Sequence, residues 1–97
     1  MTRTENLNKI LSTVSDYYGI SIEVIKGGLK LKDIVEARHA YIIIAYDLKY
    51  PLSISKIFTV KEIMWHIDKL KGSYIKAINN RHFYENDINK IKKSLDL

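Results

Sequence analysis

Few side chains in this 97-residue chain could carry covalent or metal chemistry, and they do not cluster. There is no cysteine, which excludes disulfides and thiolate metal sites. His66 and His82 lack carboxylate or cysteine neighbours at the spacing of a zinc site. Gly27 and Gly28 stand outside any glycine-rich phosphate-binding frame, and no serine lies in a nucleophile motif. The sequence therefore predicts a protein that is not an enzyme and that has no catalytic residues, metal or cofactor.

Positive charge is the clearest chemical feature of the chain. Lysine and arginine number 16 against 11 acidic residues, which gives a formal net charge of +5 and a pI near 9.4. Such a balance favours an anionic partner such as nucleic acid. Because only three of the 16 are arginines, phosphate attraction should dominate over bidentate reading of guanine. The abundance of lysine and isoleucine is also typical of an AT-rich genome, which is the alternative explanation of the charge.

Length and composition predict one domain over residues 1–97. Apolar residues make up 46% of the chain and charged residues 28%, as in ordinary globular proteins. The longest wholly apolar run, 40–46, is too short to cross a membrane, and the first residues lack the apolar segment of a secretory signal. We expect a cytoplasmic domain without a membrane partner; the sequence leaves the oligomeric state open.

The periodicity of apolar residues predicts an all-α fold, a small helical bundle of six or seven helices. Spacings of three and four residues indicate a first helix over roughly 4–18, with Gly19 as its C-cap. Ser21 can cap a short second helix over 22–26, which Gly27 and its neighbour end.

A long central helix is predicted over about 31–49. Its apolar run 41–45 would also suit a buried strand, but the flanking helical period and the absence of turn residues favour a buried helix. His39 on this helix would then be a buried, satisfied histidine. Pro51 ends the helix, and the segment 52–58 is either a short helix or an extended connection.

The second half of the chain has the outline of a helix-turn-helix over about 59–81. Residues 59–62 fit the capping box that starts a helix, which should end near Lys69 and hold Trp65 as a packing residue. A turn at Gly72 follows, and Ser73 can cap the second helix of the pair.

A last helix should open at Asn86 or Asp87, with its isoleucines on one face. Its basic run 90–93 is typical of a solvated helix face beside an apolar stripe. The same run would also suit phosphate contact or a helix that binds a partner.

Three consecutive segments carry a family resemblance. Within residues 14–26, one helix ends at the step Tyr-Gly-Ile, and the short helix after it ends in Ile-Lys. Residues 27–32 form a basic loop. Residues 34–43, on the next helix, read Ile-Val-Glu-Ala-Arg-His-Ala-Tyr-Ile-Ile. Together they resemble the C-terminal domain of DnaA, the bacterial replication initiator. The resemblance covers about residues 11–48 and implies a helical domain that binds double-stranded DNA.

The helix-turn-helix half resembles this family less closely. Residues 58–63, Phe-Thr-Val-Lys-Glu-Ile, are similar to the family's Leu-Ser-x-x-Glu-Ile step. Residues 71–74, Lys-Gly-Ser-Tyr, stand where the family has its base-reading Asp-His-Thr-Thr, and an insertion of seven or so residues lies around 50–57. The chain also has no Walker A motif, so it corresponds to the DNA-binding end of an initiator standing alone. A small phage or mobile-element protein built on that domain would fit this pattern.

The resemblance implies that DNA is contacted by the basic loop, the central helix and the segment 69–76. Lysines would supply phosphate contacts and the start of the recognition helix would supply base reading. The candidate DNA-binding residues are Lys30, Lys32, Arg38, Lys69, Lys71, Ser73, Tyr74 and Lys76.

Five of these candidates have a structural alternative. The loop lysines would belong to a solvated loop, and Arg38 would pair with Asp33 or Glu36. Ser73 would be only an N-cap, and Tyr74 only a core residue.

The sequence thus predicts a double-stranded DNA-binding protein, a replication or transcription accessory. The alternative is a protein-interaction or structural module, in phage assembly or as an antagonist of a host factor, which kept the fold and lost DNA binding. DNA binding predicts that the lysines of the loop and of the recognition helix form one face. An interaction module predicts scattered lysines and an exposed apolar patch elsewhere, for example around 50–58.

Overall fold

The structure, a computed structural model, describes residues 3–48, 60–67, 69 and 71–95. These residues form helices and turns and contain no strand, which confirms the all-α class. The elements in chain order are α1 Arg3–Tyr18, α2 Ile22–Lys26, α3 Lys32–Leu48, α4 Val60–His66, α5 Lys71–Asn79, a 3₁₀ turn Arg81–Phe83, and α6 Glu85–Ser94. None of the helices within the described ranges combines the length and apolarity that a bilayer crossing requires.

The boundary between α1 and α2 follows the local sequence signals. Gly19 adopts the left-handed conformation with φ of 67°, which glycine tolerates best, and its N–H donates to the carbonyl of Ser15 at 2.9 Å. The Ser21 hydroxyl accepts a hydrogen bond from the N–H of Val24 at 3.3 Å, as an N-cap does. The expected bounds of α2 are therefore confirmed.

Helix α3 is the centre of the domain, and the strand alternative for 41–45 is wrong. Every residue from Ala40 to Ala45 is fully buried, because α1, α2, α4, α5 and α6 all pack around this helix. A helix enclosed on all sides needs apolar residues all round, which explains the continuous run of isoleucines. The buried core further includes Leu7, Ile10, Leu11, Val14, Ile25, Ala37, Ile63, Met64, Ile67, Ala77, Ile88 and Ile91.

Three boundaries differ from the sequence expectation. Helix α4 ends at His66, before Lys69, and α5 already begins at Lys71. Ser73 is consequently the third residue of α5 and does not cap it. Helix α6 begins at Glu85, with Tyr84 in the N-cap position and no side-chain capping bond. The capping residue Thr59 and the whole insertion at 50–57 lie outside the described residues.

An ion-pair network closes the far end of α3. Asp47 accepts two hydrogen bonds from the Arg81 guanidinium, at 2.9 and 2.8 Å, and one from the Lys92 ammonium at 2.7 Å. Arg81 also pairs with Glu85 at 3.1 Å. Burial alone would raise the pKa of the Asp47 carboxyl, but the bonds to the two cations outweigh it and lower that pKa. The network fixes the 3₁₀ turn against α3 and α6.

Candidate nucleic-acid interface

The outer face of α5 is a continuous exposed stripe. Gly72, Ile75, Lys76 and Asn79 are all exposed and recur at the spacing that places residues on one side of a helix. We call these four residues the α5 face. A Cβ added at Gly72 would meet no atom within 4 Å, so the surface is open there. The stripe presents an apolar side chain, a cation and an amide, which are groups that contact thymine methyls, phosphates and adenine edges in the major groove.

Two of the candidate residues on this helix are partly buried. Tyr74 is half-buried, packs against the core, and lies edge-on to Tyr46 with ring centroids 6.0 Å apart. Ser73 is also half-buried. The core alternative for Tyr74 therefore describes its position, while Ser73, as the third residue of α5, is not its N-cap. Lys71 begins α5, and its side chain lies outside the described residues.

Arg38 is buried beneath the loop that joins α2 to α3. Only 6% of it is exposed, and its guanidinium donates to the carbonyls of Ile25 at 2.8 Å, Gly27 at 2.9 Å and Leu29 at 3.2 Å. These bonds satisfy one carbonyl in the last turn of α2, that of Ile25, and two carbonyls of the loop that follows. Burial lowers the pKa of the guanidinium. Arg38 thus meets backbone carbonyls rather than Asp33 or Glu36, and it lies below the surface of the loop.

Lys69 links the basic loop to the helix pair. Its ammonium donates to the carbonyl of Gly27, which already accepts from Arg38. Lys69 lies in the turn between α4 and α5, so this bond holds the loop beside the start of the α5 helix. Two regions that the sequence separates by 42 residues are thereby brought together at one carbonyl.

Lys30 and Lys32 border an open groove of about 480 Å³. The other lining residues are Val35, Glu36, Phe83 and Tyr84. Lys30 and Lys32 are both exposed, and Lys32 is the first residue of α3. Phe83, in the 3₁₀ turn, is 71% exposed, although a large apolar ring is normally withdrawn from water. We call this feature the lysine–phenylalanine groove.

His39 is a buried histidine that contacts a residue lining the lysine–phenylalanine groove. The ring is 7% exposed, and its Nδ1 is 3.3 Å from the hydroxyl of Tyr84, a groove residue. Burial lowers the pKa of His39, and the positive charges of Arg38 and Lys76 lower it further. The expectation of a buried, satisfied histidine is confirmed. Lys76 therefore acts electrostatically on His39, which in turn contacts Tyr84 in the lining of the lysine–phenylalanine groove.

The other histidines and the tryptophan take structural or surface positions. The His66 ring lies between the Tyr41 hydroxyl at 2.6 Å and the Asn8 side-chain oxygen at 2.7 Å, which joins α1, α3 and α4. Within the described parts of the chain, no group of three or more metal-ligating side chains converges. Trp65 is 65% exposed, so it is not part of the buried core.

The chain matches no protein-family model, no curated protein and no solved structure. The fold and the site define a small all-α domain that carries a helix pair with an exposed second-helix face. The resemblance to the C-terminal domain of DnaA stays a prediction.

Gly72, Ile75 and Asn79 were not among the sequence candidates. Their common face could have been found from the position of Tyr74 and Ala77 on the same helix, since apolar residues at this spacing mark the buried side. Phe83 had no comparable signal, because nothing in a single sequence tells an exposed aromatic residue from a buried one.

Proposed function

We propose that this protein binds double-stranded DNA, with the α5 face in the major groove and the basic loop on the phosphates. The observation that carries the proposal is the Lys69 bond to Gly27, which sets the loop of Lys30 and Lys32 beside the start of α5. An exposed recognition helix with basic residues nearby is the arrangement of helix-turn-helix proteins. A replication or transcription accessory in the cytoplasm, the host's if the protein is phage-encoded, would use such a site.

Each residue of the α5 face would make a different kind of contact with DNA. The Lys76 ammonium would neutralise a phosphate and release counterions, which gives affinity without sequence preference. The Asn79 amide can donate to and accept from an adenine edge, and Ile75 can contact a thymine methyl. Gly72 would let the DNA backbone approach closely, because it leaves open space there.

A second function is favoured by apolar residues on the surface. Leu29 is 55% exposed and Leu31 is 66% exposed, on either side of Lys30, and Trp65 is exposed on α4. Apolar residues grouped on a surface are typical of protein interfaces. They support the alternative of an interaction module, although the exposed leucines lie in the same loop as the lysines.

Fluorescence anisotropy with labelled duplexes across a salt series tests the DNA proposal. One duplex has random sequence and the other carries an initiator box. We expect binding that weakens with salt, and Lys76→Ala should reduce the slope of log affinity against log salt by about one. Lys90→Ala on α6 removes the same charge from an exposed position outside this face and serves as the matched control.

Asn79→Ala tests whether the α5 face reads bases. If the amide pairs with an adenine, its loss should cost about 1–3 kcal/mol on the preferred duplex and little on others. Equal slopes for Lys76→Ala and Lys90→Ala would contradict the placement of DNA on α5. Absence of duplex binding at low salt would overturn the proposal and favour the interaction module.

A further inference from the structure

The lysine–phenylalanine groove is chemically distinct from the α5 face. It combines the cations Lys30 and Lys32 with the exposed ring of Phe83 and the carboxylate of Glu36. Its volume of about 480 Å³ is within the range of small-molecule sites, about 300–1,000 Å³. The groove therefore offers phosphate attraction, an aromatic surface and a hydrogen-bond acceptor within one concavity.

Phe83 is held in its exposed position by the turn that carries it. The Phe83 N–H donates to the carbonyl of Asn80 at 3.0 Å, and the Tyr84 N–H donates to that of Arg81 at 2.9 Å. Arg81 is itself anchored by Asp47, so the turn is fixed to the body of the domain. The His82 ring lies beside Phe83 with centroids 4.1 Å apart and planes 38° apart. Because the backbone of the turn is already fixed, a flat ligand that stacks on this exposed aromatic pair does not have to order the turn.

We propose that the lysine–phenylalanine groove binds a single-stranded segment of nucleic acid. One base stacks on Phe83, and the adjoining phosphates lie against Lys30 and Lys32. The Glu36 carboxylate accepts a hydrogen bond from an N–H on the unpaired base, such as N3–H of thymine or the amino group of cytosine. Alternating cations and aromatic surfaces are the means by which proteins hold single strands without strong sequence preference. This site goes beyond the duplex-binding proposal and does not depend on it.

Duplex DNA cannot make the same contact. In a duplex both faces of an interior base are covered by its stacked neighbours, so no base face is free to stack on the ring of Phe83. An unpaired strand exposes those faces, and stacking on an aromatic side chain then adds to the affinity. The two surfaces consequently predict different responses to the same substitutions.

The stacking contribution can be measured by comparing an oligothymidylate with an abasic strand of equal length and phosphate number. We expect the wild-type protein to bind the oligothymidylate about 5- to 150-fold more tightly, the range for one stacked base. Phe83→Ala should remove this difference, and Phe83→Tyr should retain it. Circular dichroism melting of each variant shows that the fold is kept. Equal affinity of the wild-type protein for the two strands would overturn the proposal.

The phosphate contribution is measured with the double variant Lys30→Ala/Lys32→Ala. Its salt slope on the oligothymidylate should fall by about 1.4, at about 0.7 for each phosphate contact on a single strand. The double variant Lys90→Ala/Lys93→Ala is the control, because it removes equal charge from exposed positions on α6. Equal reductions for both variants would contradict the groove as the site.

The duplex and single-strand sites can fail separately. If Lys76→Ala weakens duplex binding and Phe83→Ala changes nothing on either strand, the groove proposal fails and the duplex proposal stands. If only Phe83→Ala acts, and only on single strands, the reverse holds. Displacement of the oligothymidylate by a polyglutamate peptide at equal charge would assign the groove to an acidic protein and overturn our proposal.

Discussion

Replacing Arg38 by methionine tests whether this arginine supports the basic loop from below. Methionine keeps much of the apolar stem and removes the three hydrogen bonds to the carbonyls of Ile25, Gly27 and Leu29. The bond to Ile25 is buried, so the orphaned carbonyl costs about 1–3 kcal/mol. Each of the two partly buried bonds adds about 0.5–1.5 kcal/mol. Release of the guanidinium from its desolvated site offsets part of this, which leaves a net loss of about 2–4 kcal/mol.

Thermal unfolding followed by circular dichroism gives the readout for Arg38→Met. For a domain of this size each kcal/mol lowers Tm by about 4–8 °C, so the melting point should fall by at least about 8 °C. Arg38→Lys keeps the charge but can reach fewer carbonyls, and it should lie between the wild type and Arg38→Met. A melting point within about 3 °C of the wild type, together with weaker duplex binding, would refute this reasoning and make Arg38 a DNA contact.

Four further substitutions test the packing and the network. Asp47→Asn should cost about 1–3 kcal/mol in urea unfolding, because Arg81 and Lys92 lose the carboxylate that they share; an unchanged midpoint would show that the network adds nothing. Folding lowers the pKa of Asp47 from its ordinary 3.8, so the ionised carboxylate contributes to the free energy of unfolding above that pH. This contribution is lost as the pH falls through the lower pKa of the folded state. The difference in stability between the wild type and Asp47→Asn should therefore shrink in acid. Gly19→Ala should destabilise the domain by about 1 kcal/mol because of its positive φ, whereas Gly72→Ala, with open space in a helix, should stabilise it by up to about 1 kcal/mol; the same sign for both would contradict the two backbone assignments. Tyr18→Phe removes a buried hydroxyl that has no hydrogen-bond partner among the described residues, so chemical denaturation should show equal or greater stability; a loss above about 1 kcal/mol would reveal a partner for that hydroxyl.

The elements whose signals are local could be predicted from the sequence. Helix α2 is bounded by a serine cap and glycines, and α3 is marked by a long apolar period, so both were placed within a residue or two. The start of α5 could not be placed in this way. Ser73 is a good capping residue, but the helix gains two more residues by starting at Lys71, and tertiary packing decides between the two starts.

The candidate site shows a sharper limit of sequence reasoning. The partners of Arg38 are backbone carbonyls 9 to 13 residues away. The pattern of charged side chains in a sequence does not indicate such partners, because every residue has a backbone carbonyl. The bonds from Asp47 to Arg81 and Lys92 span 34 and 45 residues, which no local rule connects. Burial of one side of α5 likewise turned Tyr74 inward and left Ile75 and Asn79 outside.

The most direct test of DNA binding is an amide NMR titration of the ¹⁵N-labelled protein with a duplex at low salt. Duplex binding by the α5 face and the basic loop predicts that the largest changes in amide chemical shift fall on Gly72, Ile75, Lys76 and Asn79 and on residues 27–32. The amides of α1 should change little. Changes confined to α1 and α6, or no change at any duplex concentration, would contradict it.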